Sequence, residues 1–301
     1  MSKIAFVGLG HMGGGMAANL AKAGHEVIAF DIASAAVDRA AAAGCRPASS
    51  VADAVRDAEV AITMLPAGSH VRAVWSTDVV PNARSGALLI DCSTVDVESA
   101  RFVAEIGEKA GFRCADAPVS GGIMAADAGT LAFMVGCAED VFADVEAALT
   151  PMARVVVHAG GAGAGQAAKI CNNMLLGVSM LGVCEAFALA EKLGLDARRF
   201  FDIAGQSSGQ CWSLSSYCPW PGPVPSAPSN RGYEGGFLTA LMLKDLKLAQ
   251  EAAARCGAAT PMGAQAEALY ALFDGLGYGQ KDFSAVLQMI RGRLAELGES
   301  P

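Results

Sequence analysis

Charge is scarce in this chain. Of its 301 residues only 17 % are Asp, Glu, Lys or Arg, while 53 % are hydrophobic, which excludes a disordered polypeptide. Basic residues are the scarcer sign, 22 Lys and Arg against 30 Asp and Glu. The resulting net charge of −8 and pI near 5.0 exclude a nucleic-acid partner and a general basic face for anionic lipid, so any anion must be held by local features. The four histidines, His11, His25, His70 and His158, show no metal-ligand spacing, and no metal is expected. The nine cysteines are an odd number and contain no C-x-x-C, so they are expected as reduced, partly buried small hydrophobes. Long apolar runs are also missing: the most apolar stretch, Met174–Cys184, is short for a bilayer span and is broken off by Glu185 and Glu191. There is no internal repeat and no low-complexity tract. Strand-forming residues begin at Ile4, so no leader is expected, and the chain is expected to be soluble and cytoplasmic with no membrane partner.

What is present alternates strand and helix over the first half. Lys3–Val7 predicts a strand, followed by Gly8-Leu9-Gly10-His11-Met12-Gly13, a G-x-G-x-x-G. A helix to about Ala23, a strand Glu26–Phe30 and Asp31 come next. Glycines permit the tight turn and let backbone approach a pyrophosphate at the helix start, and an acid about 20 residues on accepts from a ribose diol. The carboxylate of Asp31 repels a 2′-phosphate and no arginine follows it, which favours NAD over NADP; a merely structural glycine turn is the competing reading. Strands Val60–Leu65 and Leu88–Asp91 end in segments that bring Leu65, Pro66, His70 and Thr94 to the carboxyl edge of an α/β sheet, where ligands bind. Each is by itself also an ordinary loop residue, and Ser93 or Thr94 equally serves as the cap of a helix Val95–Ala110. Phe112–Ala117 feeds Asp116-Ala117-Pro118-Val119-Ser120-Gly121-Gly122. The N–H groups of Ser120, Gly121 and Gly122 with the Ser120 hydroxyl suit a small carboxylate, or the segment is a turn closing a strand. Strands at Gly129–Gly136 and Arg154–His158, with a helix Glu139–Leu149 between them, complete a Rossmann-type α/β domain over residues 1–163.

From residue 164 to 301 the pattern is all-helical. A long helix runs from the glycine hinge Gly160–Gly165 to Gly194, and further helices are predicted at Asp196–Gln206, Leu238–Cys256, Pro261–Leu276 and Phe283–Leu297. An irregular tract, 207–236, long enough to cover a site or pack against a neighbour, lies between them. Lys169 and Asn173, four apart at the start of the long helix, share one face, and a cation stacked on an amide can hold a substrate hydroxyl. Their flanks Ile170, Met174, Leu175 and Leu176 are apolar, so a lysine there needs a reason; Cys171 points nearly the opposite way. Lys244 lies nearer the apolar side of its helix than Lys247, and spacing alone makes it a lysine laid along apolar surface.

Four motifs in this order resemble the β-hydroxyacid dehydrogenases: Gly-Leu-Gly-x-Met-Gly at 8–13, Asp-Ala-Pro-Val-Ser-Gly-Gly at 116–122, Gly-x-Gly-x-x-x-Lys-x-x-Asn-Asn at 163–173 and Lys-Asp at 244–245. The resemblance covers the whole chain. Gly209–Ser213, Tyr217–Gly222, Asn230–Phe237, Leu65-Pro66 and Lys281–Ser284 carry a finer likeness to the branch acting on 3-hydroxyisobutyrate. It implies Lys169 as catalytic lysine with a pKa lowered by desolvation, Asn173 as substrate positioner, and Ser120, Gly121 and Gly122 as carboxylate holders. It also implies that Leu65, Pro66, Thr94 and Lys244 touch NAD and that Asp245 orients Lys244; His70 falls where relatives often carry asparagine. The implied reaction is NAD-dependent oxidation of 3-hydroxyisobutyrate to methylmalonate semialdehyde, a step of valine breakdown, in a homodimer or homotetramer joined through the helical domain. A sister activity on tartronate or succinate semialdehyde, and a non-catalytic dinucleotide-binding protein, are the alternatives.

Overall fold

The computed structural model describes residues 1–298. Its chain divides into two compact units, Met1–Lys169 and Ile170–Pro301. The division falls six residues beyond the expected boundary at 163, because the first turn of the long helix is bonded into the first unit.

In that first unit the elements are β1 (Lys3–Val7), α1 (Gly13–Lys22), β2 (Glu26–Phe30), α2 (Ser34–Ala42), β3 (Arg46–Pro47), α3 (Val51–Val55) and β4 (Val60–Thr63). They continue with α4 (Gly68–Val74), α5 (Val80–Asn82), β5 (Leu88–Asp91), α6 (Val97–Lys109), β6 (Arg113–Asp116), β7 (Val119–Ser120), α7 (Gly122–Ala128), β8 (Leu131–Gly136), α8 (Phe142–Leu149) and β9 (Ala153–Gly160). The first six strands are parallel in the order β3-β2-β1-β4-β5-β6, the doubly wound arrangement expected from the motif order. Strand β8 runs antiparallel to β6 and β7 and parallel to β9. Asp116 pairs with Gly136, Val119 with Phe133 and Ser120 with Ala132, one continuous register. So β6 and β7 are a single line of strand interrupted where Pro118 lacks a donor. Alternate strand residues feed two cores and meet helix residues there: Ile4, Phe6 and Phe133 with Met16, Leu20 and Leu149 on one face, Ala5, Val7, Ile28 and Leu89 with Trp75 and Val103 on the other.

The second unit holds most of α9 (Ala164–Lys192), then α10 (Ala197–Ala204), α11 (Trp212–Ser215), α12 (Thr239–Cys256), α13 (Pro261–Phe273) and α14 (Val286–Ile290). Its core gathers Met180, Phe187, Met242, Leu246, Tyr270, Phe273 and Phe283. A Cβ at Gly177 would come within 3.2 Å of Leu246 and Met242, so this glycine lets α12 pack close to α9.

Several expectations change. Residues 68–82 form α4, a π turn Trp75–Val79 and α5, a helix the sequence reading left unassigned although Val71, Trp75 and Val79 recur every fourth position. The helix after β5 starts at Val97 with Asp96 as its cap, accepting from Ser99 N–H, so neither Ser93 nor Thr94 caps it. Helix α9, Ala164–Lys192, is the long helix expected from the glycine hinge towards Gly194, but it is long and apolar enough to cross a membrane by length and composition alone, which the run Met174–Cys184 did not suggest; 44 % of its most apolar window is buried. The expected helix Phe283–Leu297 breaks after Ile290, with Gly292 at φ +70°. The irregular tract is organised by Asp282, whose buried carboxylate accepts from Tyr217 Oη at 2.7 Å, Phe237 N–H at 2.8 Å and Ser284 N–H at 3.0 Å. Among the described residues no group of three or more His, Cys, Asp or Glu is placed to hold a metal ion.

Candidate active site

The register lines Phe30, Val7, Thr63, Asp91 and Asp116 up across neighbouring strands, so the segments after β1, β2, β4, β5 and β6 all leave the sheet on one edge. Gly8 sits at φ +95°, and a Cβ on it would lie 2.2 Å from the Met64 carbonyl oxygen. A Cβ on Gly13 would lie 2.0 Å from the Gly8 carbonyl oxygen, whereas one on Gly10 would meet nothing within 4 Å. Two of the three glycines therefore close the turn, and the third faces open space beside exposed His11. Helix α1 begins at Gly13, and its Gly14 and Met16 N–H groups already donate to the Gly10 and Met12 carbonyls. An anionic ligand at this end is served by the positive end of the helix dipole and the remaining N–H groups of the turn. Asp31 holds the turn: its two oxygens accept from Leu9 N–H at 2.6 Å and Ala33 N–H at 2.8 Å. A carboxylate has about four acceptor positions, so it retains lone pairs for a diol. These residues fit a dinucleotide.

On the same edge Leu65 is half-buried, donating its N–H to Ser93 Oγ at 2.7 Å, with Thr94 half-buried and Pro66 and His70 exposed. Gly121 and Gly122 have φ +138° and +70°, a backbone that only glycine adopts without strain, directly after half-buried Ser120. Helix α7 then starts at Gly122, an element the sequence reading did not foresee.

Beneath this edge lies a buried polar network whose members are far apart in sequence. Thr63 Oγ1, which accepts from Trp75 Nε1–H at 3.0 Å, donates to Asp91 Oδ1 at 2.7 Å, and Ser93 Oγ donates to the same oxygen at 2.6 Å. Asp91 Oδ2 is buried with no hydrogen-bond partner. Burial pushes the Asp91 carboxyl up to about 6, against the lowering effect of Ser93 and Thr63. Because the folded value lies above the ordinary 3.8, the native state holds this proton more tightly than the unfolded chain, and ionisation costs stability. Asp91→Asn removes that cost. Its stability relative to the parent is expected to rise by on the order of 3 kcal/mol as pH climbs from about 4 to about 6, then level off. Urea unfolding at a series of pH values checks this; a difference that stays flat would mean burial does not disfavour the charge.

Lys169 and Asn173 occupy successive turns of α9 and are buried, 7 % and 1 % exposed. Asn173 Nδ2 donates to Asp245 Oδ2, and Asn172 Nδ2 donates to Asn173 Oδ1 at 3.0 Å, so the amide is oriented from both ends. Asp245 Oδ1 lies 3.5 Å from Lys244 Nζ and makes no hydrogen bond. Asp245 thus grips Asn173 more directly than Lys244, a role the sequence reading missed because the two residues are 72 apart. Lys244 is half-buried and Lys247 exposed, as the spacing predicts, and Cys171 is exposed.

Residues 3–161 match the family model for the NAD-binding domain of 6-phosphogluconate dehydrogenase. Residues 163–290 match the one described as the NAD-binding region of NADP-dependent 3-hydroxyisobutyrate dehydrogenase. A probable 3-hydroxyisobutyrate dehydrogenase of Mycobacterium tuberculosis is 49 % identical over 293 residues, covering 97 % of this chain and 99 % of that protein. This chain belongs to the 3-hydroxyisobutyrate dehydrogenase family. It is an NAD-binding oxidoreductase of the β-hydroxyacid dehydrogenase type. A solved structure of the M. tuberculosis enzyme, described with L-serine, superposes with a TM-score of 0.94 over 97 % of this chain and 99 % of the other at 49 % identity. Another family relative, named NAD-dependent L-serine dehydrogenase, from Pseudomonas aeruginosa, is 46 % identical over 96 % of this chain and 98 % of its own.

Proposed function

We propose that the protein oxidises 3-hydroxyisobutyrate to methylmalonate semialdehyde, with Lys169 as general base and NAD as preferred cofactor. One observation carries this reading: an enclosed lysine stacked one turn from an amide that is itself held by Asp245. Burial penalises an ammonium relative to an amine, so Nζ is suited to take the substrate hydroxyl proton and to return it in the reverse direction. The remaining Asn173 amide hydrogen is available to the same hydroxyl oxygen. Ser120, Gly121 and Gly122 hold the substrate carboxylate, and the fixed reach from carboxylate to hydroxyl selects a β-hydroxyacid. Bound NAD supplies the acceptor for the hydride that leaves the carbinol carbon. Leu65, Pro66 and Thr94 line its site, with Gly8–Gly13 and Asp31 on the pyrophosphate and ribose. The assembly in this reading is a homodimer or homotetramer.

L-serine is a second reading, favoured by the relative named for that activity and by the M. tuberculosis structure described with it. Serine is also a β-hydroxycarboxylate, with an ammonium where 3-hydroxyisobutyrate has a methyl. Steady-state rates with 3-hydroxyisobutyrate, L-serine, glycerate and 4-hydroxybutyrate decide between them. The largest kcat/KM is expected for 3-hydroxyisobutyrate with NAD, about tenfold or more above the value with NADP, since Asp31 repels a 2′-phosphate. A preference for 4-hydroxybutyrate or for NADP would overturn the assignment.

A further inference from the structure

Two polar residues of the motifs have no part in holding substrate or cofactor: Asp116, which begins the Asp116–Gly122 motif, and Gln166, three residues before Lys169. Both side chains are buried, Asp116 3 % and Gln166 0 % exposed. Asp116 ends β6 and spans the start of α9: Oδ1 accepts from Gly163 N–H at 2.7 Å and Oδ2 from Gln166 N–H at 2.8 Å. The Gln166 amide turns the other way, donating from Nε2 to the Ser93 carbonyl at 2.7 Å and accepting at Oε1 from Val95 N–H at 3.1 Å. Ser93 is bonded in turn to Asp91 and to Leu65 N–H. The ends of three strands, β4, β5 and β6, thereby converge on the first turn of the helix that carries Lys169 three residues later. The approach leaves no room for side chains: a Cβ on Gly136 would lie 2.3 Å from Asp116 Oδ1, and one on Gly165 2.3 Å from the Met134 carbonyl oxygen. Asp116 is also four residues before Ser120, on the strand line that leads to Gly121 and Gly122.

We propose that Asp116 and Gln166 are positioning residues that set the distance between the Ser120–Gly122 carboxylate cradle and the Lys169 amine, and through it the length of hydroxyacid that reacts. The proposal rests on the role of Lys169 given above. An aspartate is matched to two converging N–H groups because both its oxygens accept; asparagine presents an NH2 to one of them. The neutral glutamine is matched to a carbonyl on one side and an N–H on the other, which a charged glutamate is not.

Asp116→Asn is therefore expected to lower kcat for 3-hydroxyisobutyrate by about 10- to 100-fold while the NAD dissociation constant stays within about twofold. The preference for 3-hydroxyisobutyrate over 4-hydroxybutyrate should shrink by about fivefold or more, because a loosened spacing discriminates less. Equal losses on both substrates, or no loss, would overturn the positioning role, since general destabilisation lowers the amount of active enzyme without changing a substrate ratio. Gln166→Glu supplies the reading if the first variant does not fold. Its second oxygen meets the Ser93 carbonyl and fits only when protonated, so kcat relative to the parent should rise about fivefold or more from about pH 8 to about pH 6. Among the described residues the ionisable side chains near this clamp include Asp91 on β5, Arg101 on α6, Asp116 on β6, Cys137 after β8 and Lys169 on α9. All are common to variant and parent, but Asp116, raised by burial to about 6, would be pushed further up by a carboxylate at 166. The ratio therefore reads residue 166 together with the acid it is bonded beside, and a ratio independent of pH counts against the clamp. A Lys169→Ala enzyme that still turns over would defeat the catalytic reading itself. An inactive Lys169→Ala beside an unaltered substrate ratio in Asp116→Asn defeats only the positioning.

Discussion

Lys169→Ala is expected to lower kcat by roughly 10³-fold or more while the NAD dissociation constant changes by less than about threefold. The asymmetry follows from placement. Lys169 begins the second turn of α9, whereas the glycine turn, Asp31 and Leu65 belong to the edge of the sheet. A companion variant, Lys169→Arg, separates proton transfer from mere charge: arginine keeps a cation but does not release its proton near neutrality, so it should be about as inactive as alanine. NADH formation at 340 nm, an ordinary absorbance assay, and calorimetric NAD titration read the two quantities. An arginine enzyme retaining a tenth of parental turnover would demote Lys169 from base to electrostatic support.

The second large effect concerns two glycines two residues apart. Gly8→Ala places a methyl 2.2 Å from the Met64 carbonyl oxygen at a φ of +95°, so both backbone strain and a backbone clash oppose folding. A loss of about 3 kcal/mol or more is expected, read as a large fall in thermal midpoint or in soluble yield. Gly10→Ala adds its methyl to open space, so the midpoint should stay within a few degrees while NAD affinity falls by about tenfold or more, because backbone can no longer approach the pyrophosphate. If Gly10→Ala binds NAD normally, that open space is not where the cofactor lies.

Much of this was legible beforehand for one reason: the strands and the cofactor turn are local. Val7, Gly8–Gly13 and Asp31 form a βαβ unit within about 30 residues, and each glycine's duty follows from backbone sterics within that unit. The lysine and asparagine on α9 needed only helical periodicity. Helix 68–82 was less visible because it starts at Gly68 and continues through a π turn, a departure from the 3.6 repeat that periodicity tests look for. The break after Ile290 was hidden because Leu287, Ile290, Leu294 and Leu297 keep a helical apolar spacing across Gly292.

The amino-acid order by itself determined the α/β unit and the helical unit, the dinucleotide turn, the acid at Asp31 and the shared face of Lys169 and Asn173. Each depends on residues close enough along the chain for backbone geometry to relate them. Only the tertiary structure decided the partners of Asn173 and Asp245, the Thr63–Asp91–Ser93 network, and the grip of Asp116 and Gln166 on the start of α9. The long-range bonds among them join residues 28 to 73 positions apart. A buried polar group is obliged to find some partner, but sequence alone does not say which of many distant donors will stand opposite it once the strands are in register.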